Sequence, residues 1–208
     1  MQYTDIIYHI FQRSFYDSNG DGHGDLNGIV QKLDYLQQLG VTTILLTPLY
    51  KSHYYHNYFA DNFIEIDPAY GTFDDYFQLI RALHERGMKL IMDMEVQYVA
   101  EDHEWFKHSY GNPDSGFSEY IVYRDKEQLQ PESILFNING QKGYNGIYKN
   151  ITTVNLQSKK VQDYLYRLFA YWVDPHGDGS LRDGVDGFRL DHIMDMLDDK
   201  PHLSNLFA

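Results

Sequence analysis

Gly184-Val185-Asp186-Gly187-Phe188-Arg189-Leu190-Asp191-His192 decides how this chain folds. The run predicts a short buried β-strand, Gly187 to Leu190, that delivers an arginine and then an aspartate to its C-terminal end. An acid at the carboxyl end of a barrel strand lies where such enzymes do their chemistry. An arginine two residues earlier projects to the same side, because strand side chains repeat with period 2. From there its guanidinium can hold Asp191 ionised and fixed in orientation, as a carboxylate nucleophile requires. Taken alone, the run admits a second reading, in which Asp191 caps the next helix and Arg189 pairs it for solubility.

Working outward, three further apolar stretches have the same character: Ile6 to Phe15, Gly40 to Pro48 and Gly87 to Asp93. Amphipathic segments separate them, which is the pattern of parallel βα units. Leu26, Ile29, Val30, Leu33, Leu36 and Leu39 fall at helical spacing, and Gly40 stops that helix. Phe73 to Arg86, ended by Gly87, is a second predicted helix, and Lys159 to Trp172 a third. Their Leu, Tyr and Phe stripes are core packing. Between Asp93 and the third helix lies an irregular stretch, about 99–157, and so long an insertion inside a βα unit is usually functional.

These four strand segments, in this order, resemble the first four barrel strands of the α-amylase family of retaining glycosidases, glycoside hydrolase family 13. The resemblance implies an α/β fold: the first half, strands 1–4, of a (β/α)8 TIM barrel with a small domain inserted after the third strand. Residues 1–98 would carry strands 1–3, 99–157 the insertion forming one wall of the substrate cleft, and 158–208 the third helix, strand 4 and the start of the next helix. A complete barrel takes eight strands and about 250 residues. Half a barrel leaves two sheet edges and an apolar face uncovered. Either the protein continues past Ala208 or this piece pairs with another; the expectation is a missing C-terminal half.

Asp17-Ser18-Asn19-Gly20-Asp21-Gly22-His23-Gly24-Asp25 places oxygen ligands at positions 1, 3, 5 and 9 with glycines between. Such spacing lets one loop surround a hard cation. It is not a full helix-loop-helix calcium motif, since position 12 is Gly28 rather than a bidentate glutamate. The alternative is a polar turn without metal. The resembled family has the same Asp-x-Asn-x-Asp loop after its first strand, where it holds a structural Ca2+. By that match Asp17, Asn19, Asp21 and Asp25 would ligate through side chains and His23 through its backbone carbonyl. Asp174, Asp178 and Asp183 form a looser acidic group, for which a solvated turn is the favoured reading.

The resemblance also assigns substrate contacts. Tyr58 would be a platform beneath the sugar ring whose bond breaks, with a buried core tyrosine as the alternative; aromatic faces suit that stacking. Phe59 stands where many members carry a hydroxyl-gripping aspartate, a departure that argues against an exo-acting glucosidase. Asp93-Met94-Glu95-Val96-Gln97-Tyr98 matches the family's third-strand motif, Asp-x-Val-x-Asn-His, with Asp93 kept and Glu95, Gln97 and Tyr98 altered. Asp93 has the alternative role of an Arg189 partner. Tyr98 can donate one hydrogen bond but cannot become cationic like the histidine it replaces. His192 would face the incoming or leaving sugar, or else be structural.

The composition sets the remaining bounds. With 43% hydrophobic and 23% charged residues the chain is an ordinary globular sequence. A net charge of −13 argues against nucleic acid or an anionic membrane as partner. There is no cysteine, hence no thiolate chemistry. The 19 tyrosines can serve as stacking platforms or as core. No apolar run approaches the roughly 20 residues of a membrane span, and no basic segment followed by an apolar one opens the chain, so localisation stays open. His103-Glu104 is followed by His108, one residue too far for the zinc-binding helix motif.

The expected chemistry uses two carboxyl groups about 5 Å apart, one attacking the anomeric carbon and one protonating the leaving oxygen. Asp191 is the expected nucleophile on an α-glucan, with Arg189 as its electrostatic partner. The resemblance places the general acid after a fifth strand and a second stabilising aspartate after a seventh. Neither segment is within these 208 residues, so this chain alone is expected to lack glycosidase activity. Transglycosylation or glucosyl isomerisation share the nucleophile. A rival reading is a catalytically inactive amylase-like binding or assembly module, favoured by Glu95, Gln97 and Tyr98 and opposed by the Arg189–Asp191 pair. The amylase-like heavy chains of amino-acid transporters would need a membrane-spanning helix. A purely calcium-binding structural domain accounts only for residues 17–25.

Overall fold

The computed structural model describes residues 5–132 and 140–191. Along the chain run β1 (Ile7–Ile10), α1 (Leu26–Gln31), α2 (Leu33–Gln38), β2 (Thr43–Leu46), β3 (Tyr50–Lys51), β4 (Asn62–Ile66), α3 (Phe73–Glu85) and β5 (Lys89–Met94). They are followed by β6 (Tyr98–Ala100), α4 (Glu104–Ser109), β7 (Gln141–Lys142), β8 (Tyr148–Lys149), β9 (Ile151–Thr153), α5 (Lys159–Val173) and β10 (Gly187–Leu190). The described residues form two compact units, one of 5–49, 65–94 and 169–189, the other of 50–64, 95–132, 140–168 and 190–191. The described part of the expected insertion, 99–157, lies in the second unit, together with 50–64.

The first unit is built on a four-stranded sheet ordered β1-β2-β5-β10. Strands β1, β2 and β5 are parallel neighbours, with Ile7 opposite Thr43 and Thr43 opposite Lys89. This is the α/β order of the first half of a (β/α)8 barrel, on the four predicted segments. Strands buried on both faces need continuous apolar sequence; accordingly Ile44, Leu46, Leu90 and Met92 have no exposed surface. The β1 edge is different: Ile7 is 55% exposed and only Ile10 of that strand is buried.

Helix α3 begins at a reciprocal capping box, in which the Thr72 hydroxyl accepts from Asp75 N–H and the Asp75 carboxylate accepts from Thr72 N–H. Its Tyr76, Leu79, Ile80 and Leu83 form one buried stripe, each side chain contributing roughly 1.5–3 kcal/mol on burial. The continuous helix expected from Leu26 to Leu39 is instead two, broken at Lys32, whose φ/ψ of −105°/4° leaves the helical region. Leu26, Ile29, Leu33 and Leu36 stay wholly buried, but Leu39 falls beyond the second helix and is 51% exposed.

The 184–191 segment is held by close packing. A Cβ on Gly184 would lie 1.9 Å from the Val173 carbonyl oxygen, so only glycine lets the chain pass the end of α5. Asp186 then fixes the strand: its N–H donates to the Leu90 carbonyl at 2.8 Å, and its carboxylate accepts from Leu90 N–H at 2.8 Å and meets His84 Nε2 at 3.1 Å. The Phe188 ring packs edge-on against Phe169.

In the second unit β6 pairs antiparallel with β9, and Ala60 bridges to Val99. Tyr54, Tyr98, Ala100 and Ile151 form a buried cluster, with Phe59 and Val122 packed on it. Trp105 of α4 is wholly buried among Phe63, Tyr120 and Tyr164, whose ring centres lie 4.9–5.7 Å from its own. His103 caps α4 by accepting Trp105 N–H on Nδ1.

Candidate active site

Strand β5 closes on Asp93 and Met94, and β10 on Arg189 and Leu190, with Asp191 the next residue. Within the first unit Arg189 Nη1 donates to Asp93 Oδ2 at 2.6 Å. Asp93 is wholly buried, whereas the Arg189 side chain is 45% exposed. A carboxylate taken fully out of water needs a charged partner, and Arg189 supplies it. The sequence offers that guanidinium both Asp191 and, as the alternative, Asp93; the 2.6 Å contact is the one to Asp93. Asp191 is half-buried at the carboxyl end of β10. His192 lies outside the described residues.

The carboxyl ends of β1 and β2 are braced by polar side chains. Gln12, wholly buried, donates from Nε2 to the Thr47 and Pro48 carbonyls at 3.1 and 3.0 Å, and accepts from the Thr47 hydroxyl at 2.7 Å. Arg13 pairs with Asp67 at 3.3 Å and lies over the Tyr70 ring, 4.8 Å from its centre. These contacts fix the end of the sheet at which α/β enzymes place chemistry.

The second unit carries the aromatic residues of the prediction. Tyr58 is half-buried, donates its N–H to His56 Nδ1 at 3.1 Å and tilts against the His56 ring. Phe59 stands edge-on to Tyr54, His56 and Tyr98. Tyr98 is 1% exposed. Burial pushes the His56 imidazole down to about 4, so that ring is neutral near neutral pH.

The third-strand segment has a structural role of its own. Glu95, 1% exposed, accepts from Gln97 N–H on Oε1 at 2.6 Å and from Tyr98 N–H on Oε2 at 3.2 Å. The Tyr50 hydroxyl bridges the Glu95 backbone, donating to its carbonyl at 3.1 Å and accepting its N–H at 3.2 Å. Glu95 thus ties down the turn into Tyr98. The Glu95 role was missed, although a carboxylate two and three residues ahead of the amides it accepts was an available signal; the role of His56 leaves no such trace.

The 17–25 loop folds around its own acids. Asp17 accepts from the amides of Asn19, Gly20 and Gly22, Asn19 Oδ1 from Asp21 N–H, and Asp21 Oδ1 from His23 N–H. The amides of Gly22 and Gly20 hold the Asp17 carboxyl below its ordinary value, and the group stays anionic. Gly20 and Gly22 take positive φ with open space around them. Asp25 is buried instead: Oδ1 caps α1 through Gly28 N–H at 2.6 Å and Oδ2 accepts from Ser18. Carboxylate, amide and carbonyl oxygens, without sulfur or imidazole nitrogen, are the donor set a hard cation prefers. Around Asp174 the carboxylate accepts from Asp178 and Gly179 amides, and His176 sits 3.5 Å from Asp183. Among the described residues no helix is long and apolar enough to cross a membrane.

A family model, the alpha amylase catalytic domain, matches residues 9–205. "Alpha-amylase 3" of Dictyoglomus thermophilum is 32% identical over 93% of this chain and 37% of its own length. An oligo-1,6-glucosidase of Parageobacillus thermoglucosidasius is 34% identical over 95% of this chain and 36% of its own. Among solved structures, an alpha-amylase from H. orenii superposes with a TM-score of 0.72 at 34% identity, covering 89% of this chain and 39% of that one. An isomaltulose synthase from Klebsiella sp. LX3 gives 0.75 at 31% identity, covering 91% and 35%. The chain therefore spans about a third of the length of the curated relatives it matches.

Proposed function

Because this chain belongs to the family of α-amylase catalytic domains, we propose that it forms the N-terminal part of a retaining glycosidase acting on α-linked glucans such as starch or maltooligosaccharides. Asp191 is the nucleophile: its carboxylate attacks the anomeric carbon as an acid protonates the departing oxygen. The observation that carries this reading is the Arg189–Asp93 pair, 2.6 Å long, which fixes the arginine two residues ahead of Asp191. Tyr58 and Phe59 serve as stacking surfaces, and the resemblance adds His192 as a sugar contact. The general acid is expected in the part of the relatives' length that this chain does not span, so the 208 residues by themselves are expected to cleave no glucan.

Hydrolysis of α-1,4 bonds is the preferred reaction; transfer or isomerisation uses the same nucleophile. A non-catalytic binding module is favoured by one observation, that Glu95 spends its carboxylate on backbone amides and Tyr98 is buried, so the altered motif serves the protein itself.

Structural Ca2+ in the 17–25 loop completes the proposal, held by Asp17, Asn19, Asp21, Asp25 and the His23 carbonyl. The anionic, outward-facing Asp17 and the all-oxygen donor set support it. The test of function uses the native gene product. It is incubated with maltooligosaccharides, isomaltose and sucrose, then with a fluorinated glycosyl fluoride that traps the covalent intermediate. Peptide mass mapping should find the label on Asp191, and Asp191→Gly should recover turnover with azide as external nucleophile. Full activity in Asp191→Asn removes the reading; no turnover and no label favour the binding module.

A further inference from the structure

Three side chains outside the proposed glycosidase machinery converge in the second unit. His53 follows β3, Asp61 precedes β4, and Asp102 precedes α4. His53 Nδ1 lies 2.5 Å from Asp61 Oδ2 and 3.5 Å from Asp102 Oδ2. One ligand atom from each of the three lies within 4.8 Å of the others. The cluster lines an open cavity of about 660 Å³ together with Lys107, His108 and Lys149.

The Asp61 side chain is 7% exposed, and its second oxygen, Oδ1, is buried and accepts no hydrogen bond among the described residues. Buried carboxylate oxygens are ordinarily met by a donor, and an unmet one costs roughly 1–3 kcal/mol, more for a charged group. That oxygen lacks a direct donor among the described residues. The fields of His53 and Lys149 reach Asp61, but the lysine ammonium groups make their close contacts elsewhere: Lys149 Nζ is 2.6 Å from Asp102 Oδ2 and Lys107 Nζ 3.2 Å from Asp102 Oδ1.

We infer that His53, Asp61 and Asp102 form a binding site for a borderline divalent cation of the zinc type. Hard cations prefer oxygen alone, which disfavours calcium or magnesium at an imidazole. Zinc accepts an imidazole nitrogen and carboxylate oxygens at about 2.0–2.2 Å, which puts tetrahedral ligand atoms about 3.4 Å apart. The His53–Asp102 separation already has that value within 0.1 Å, at 3.5 Å. The His53 Nδ1–Asp61 Oδ2 contact, at 2.5 Å, widens toward that separation as the ion enters between the two ligands. Lys149 yields Asp102 to the ion, and a water completes the coordination. The three ligands come from separate segments of the second unit, so the ion acts as a structural clasp. This inference is independent of the glycosidase reading.

The test titrates Zn2+ into the chelator-treated, untagged native gene product by calorimetry. One site of micromolar or tighter affinity is expected, with a rise of several degrees in Tm. Asp61→Asn, which keeps shape, and His53→Ala should each weaken it at least tenfold, while Lys149→Met should tighten it by removing the competing ammonium. Co2+ should give the intense visible bands of a four-coordinate ion. No binding overturns the proposal, as does binding unchanged in both ligand variants, which would assign the zinc to some of the chain's nine other histidines. If His53→Ala does not fold, Co2+ in the unaltered chain decides: a paramagnetically shifted His53 ring supports the site, and an unshifted ring with bound metal overturns it.

Discussion

Arg189 on β10 and Asp93 on β5, 96 residues apart in sequence, meet at 2.6 Å with the carboxylate wholly buried. The pair is lopsided, because water still reaches much of the guanidinium and none of the carboxylate. Removing the arginine therefore leaves a buried charge without its partner, whereas removing the acid's charge leaves a cation that water can solvate. Arg189→Ala is expected to cost roughly 3 kcal/mol of folding stability, taken at the low end because the pair is half open to water. Asp93→Asn should cost about 1–2 kcal/mol. Urea unfolding of both variants checks the order; equal costs would mean that the pair is held by solvent rather than by the fold.

Glu95 gives a second contrast. Its carboxylate accepts two amides, from Gln97 and Tyr98, in a place 1% exposed. Valine, the residue of the family motif, would leave both amides without this acceptor, at about 2–3 kcal/mol, while glutamine keeps one acceptor and should cost about 1 kcal/mol. Denaturation midpoints with unchanged m-values would show it. A Glu95→Val variant as stable as the parent sinks the assignment.

The sheet was legible for a physical reason. Residues 43–46 and 89–94 are apolar runs bounded by Gly40 and Gly87, and buried parallel strands leave just that trace. The break at Lys32 was not, since Leu39 keeps helical spacing after the helix has ended. Period 2 along one strand offers Arg189 to Asp191, while the third-strand match offers it to Asp93 as the alternative; the β5-β10 adjacency, which no spacing rule encodes, brings it to Asp93. The His53, Asp61 and Asp102 group was invisible for the same reason, its members lying 8 and 41 residues apart. Conversely, the turn at 17–25 was readable because its hydrogen-bond partners are local.

Two histidines impose a pH dependence. Burial lowers His103 to about 3 and His56 to about 4, and each accepts a backbone N–H on Nδ1, which requires the neutral ring. In the unfolded chain both titrate near the ordinary value, about 6.5. The unfolded state therefore binds protons first, and stability present above about pH 6.5 is lost as pH falls toward 4, by at most about 1.4 kcal/mol per pH unit for each ring. Tm should drop steadily from pH 7 to 5. His103→Gln, with one such ring fewer, should show a shallower drop; an unchanged slope would remove His103 as a cause.

Gly28 and Gly87 separate crowding from backbone strain. A Cβ at Gly28 would lie 1.9 Å from the Tyr16 carbonyl oxygen, a backbone atom that cannot swing away, whereas Gly87 has φ +67° and open space around it. Gly87→Ala should cost about 1 kcal/mol, the ordinary price of a left-handed alanine. Gly28→Ala should cost more than about 3 kcal/mol or prevent folding, as overpacking against fixed atoms does. Comparable losses in the two would mean that the 16–28 segment can move apart.

Asp25 links the proposed calcium loop to the fold, and that link makes the metal testable. Asp17 is half-buried and Asp21 exposed, and both bond within their loop, whereas Asp25 is buried and caps α1 through Gly28 N–H at 2.6 Å. With Ca2+ bound, ligation should raise Tm and EDTA should reverse it, because a ligand held by the native state alone stabilises that state. Asp17→Ala should abolish the calcium response while leaving the metal-free Tm nearly unchanged, since its partners are solvent-exposed amides of the same loop. Asp25→Ala should also abolish the response, yet lower the metal-free Tm as well, by the equivalent of about 1–2 kcal/mol for a lost helix cap. Differential scanning calorimetry with and without Ca2+ resolves the two effects. If Asp17→Ala keeps the full calcium shift, the loop is a hydrogen-bonded turn and the ion binds elsewhere. If Asp25→Ala is neutral without metal, the cap contributes nothing and α1 is held by its buried Leu26 and Ile29 alone.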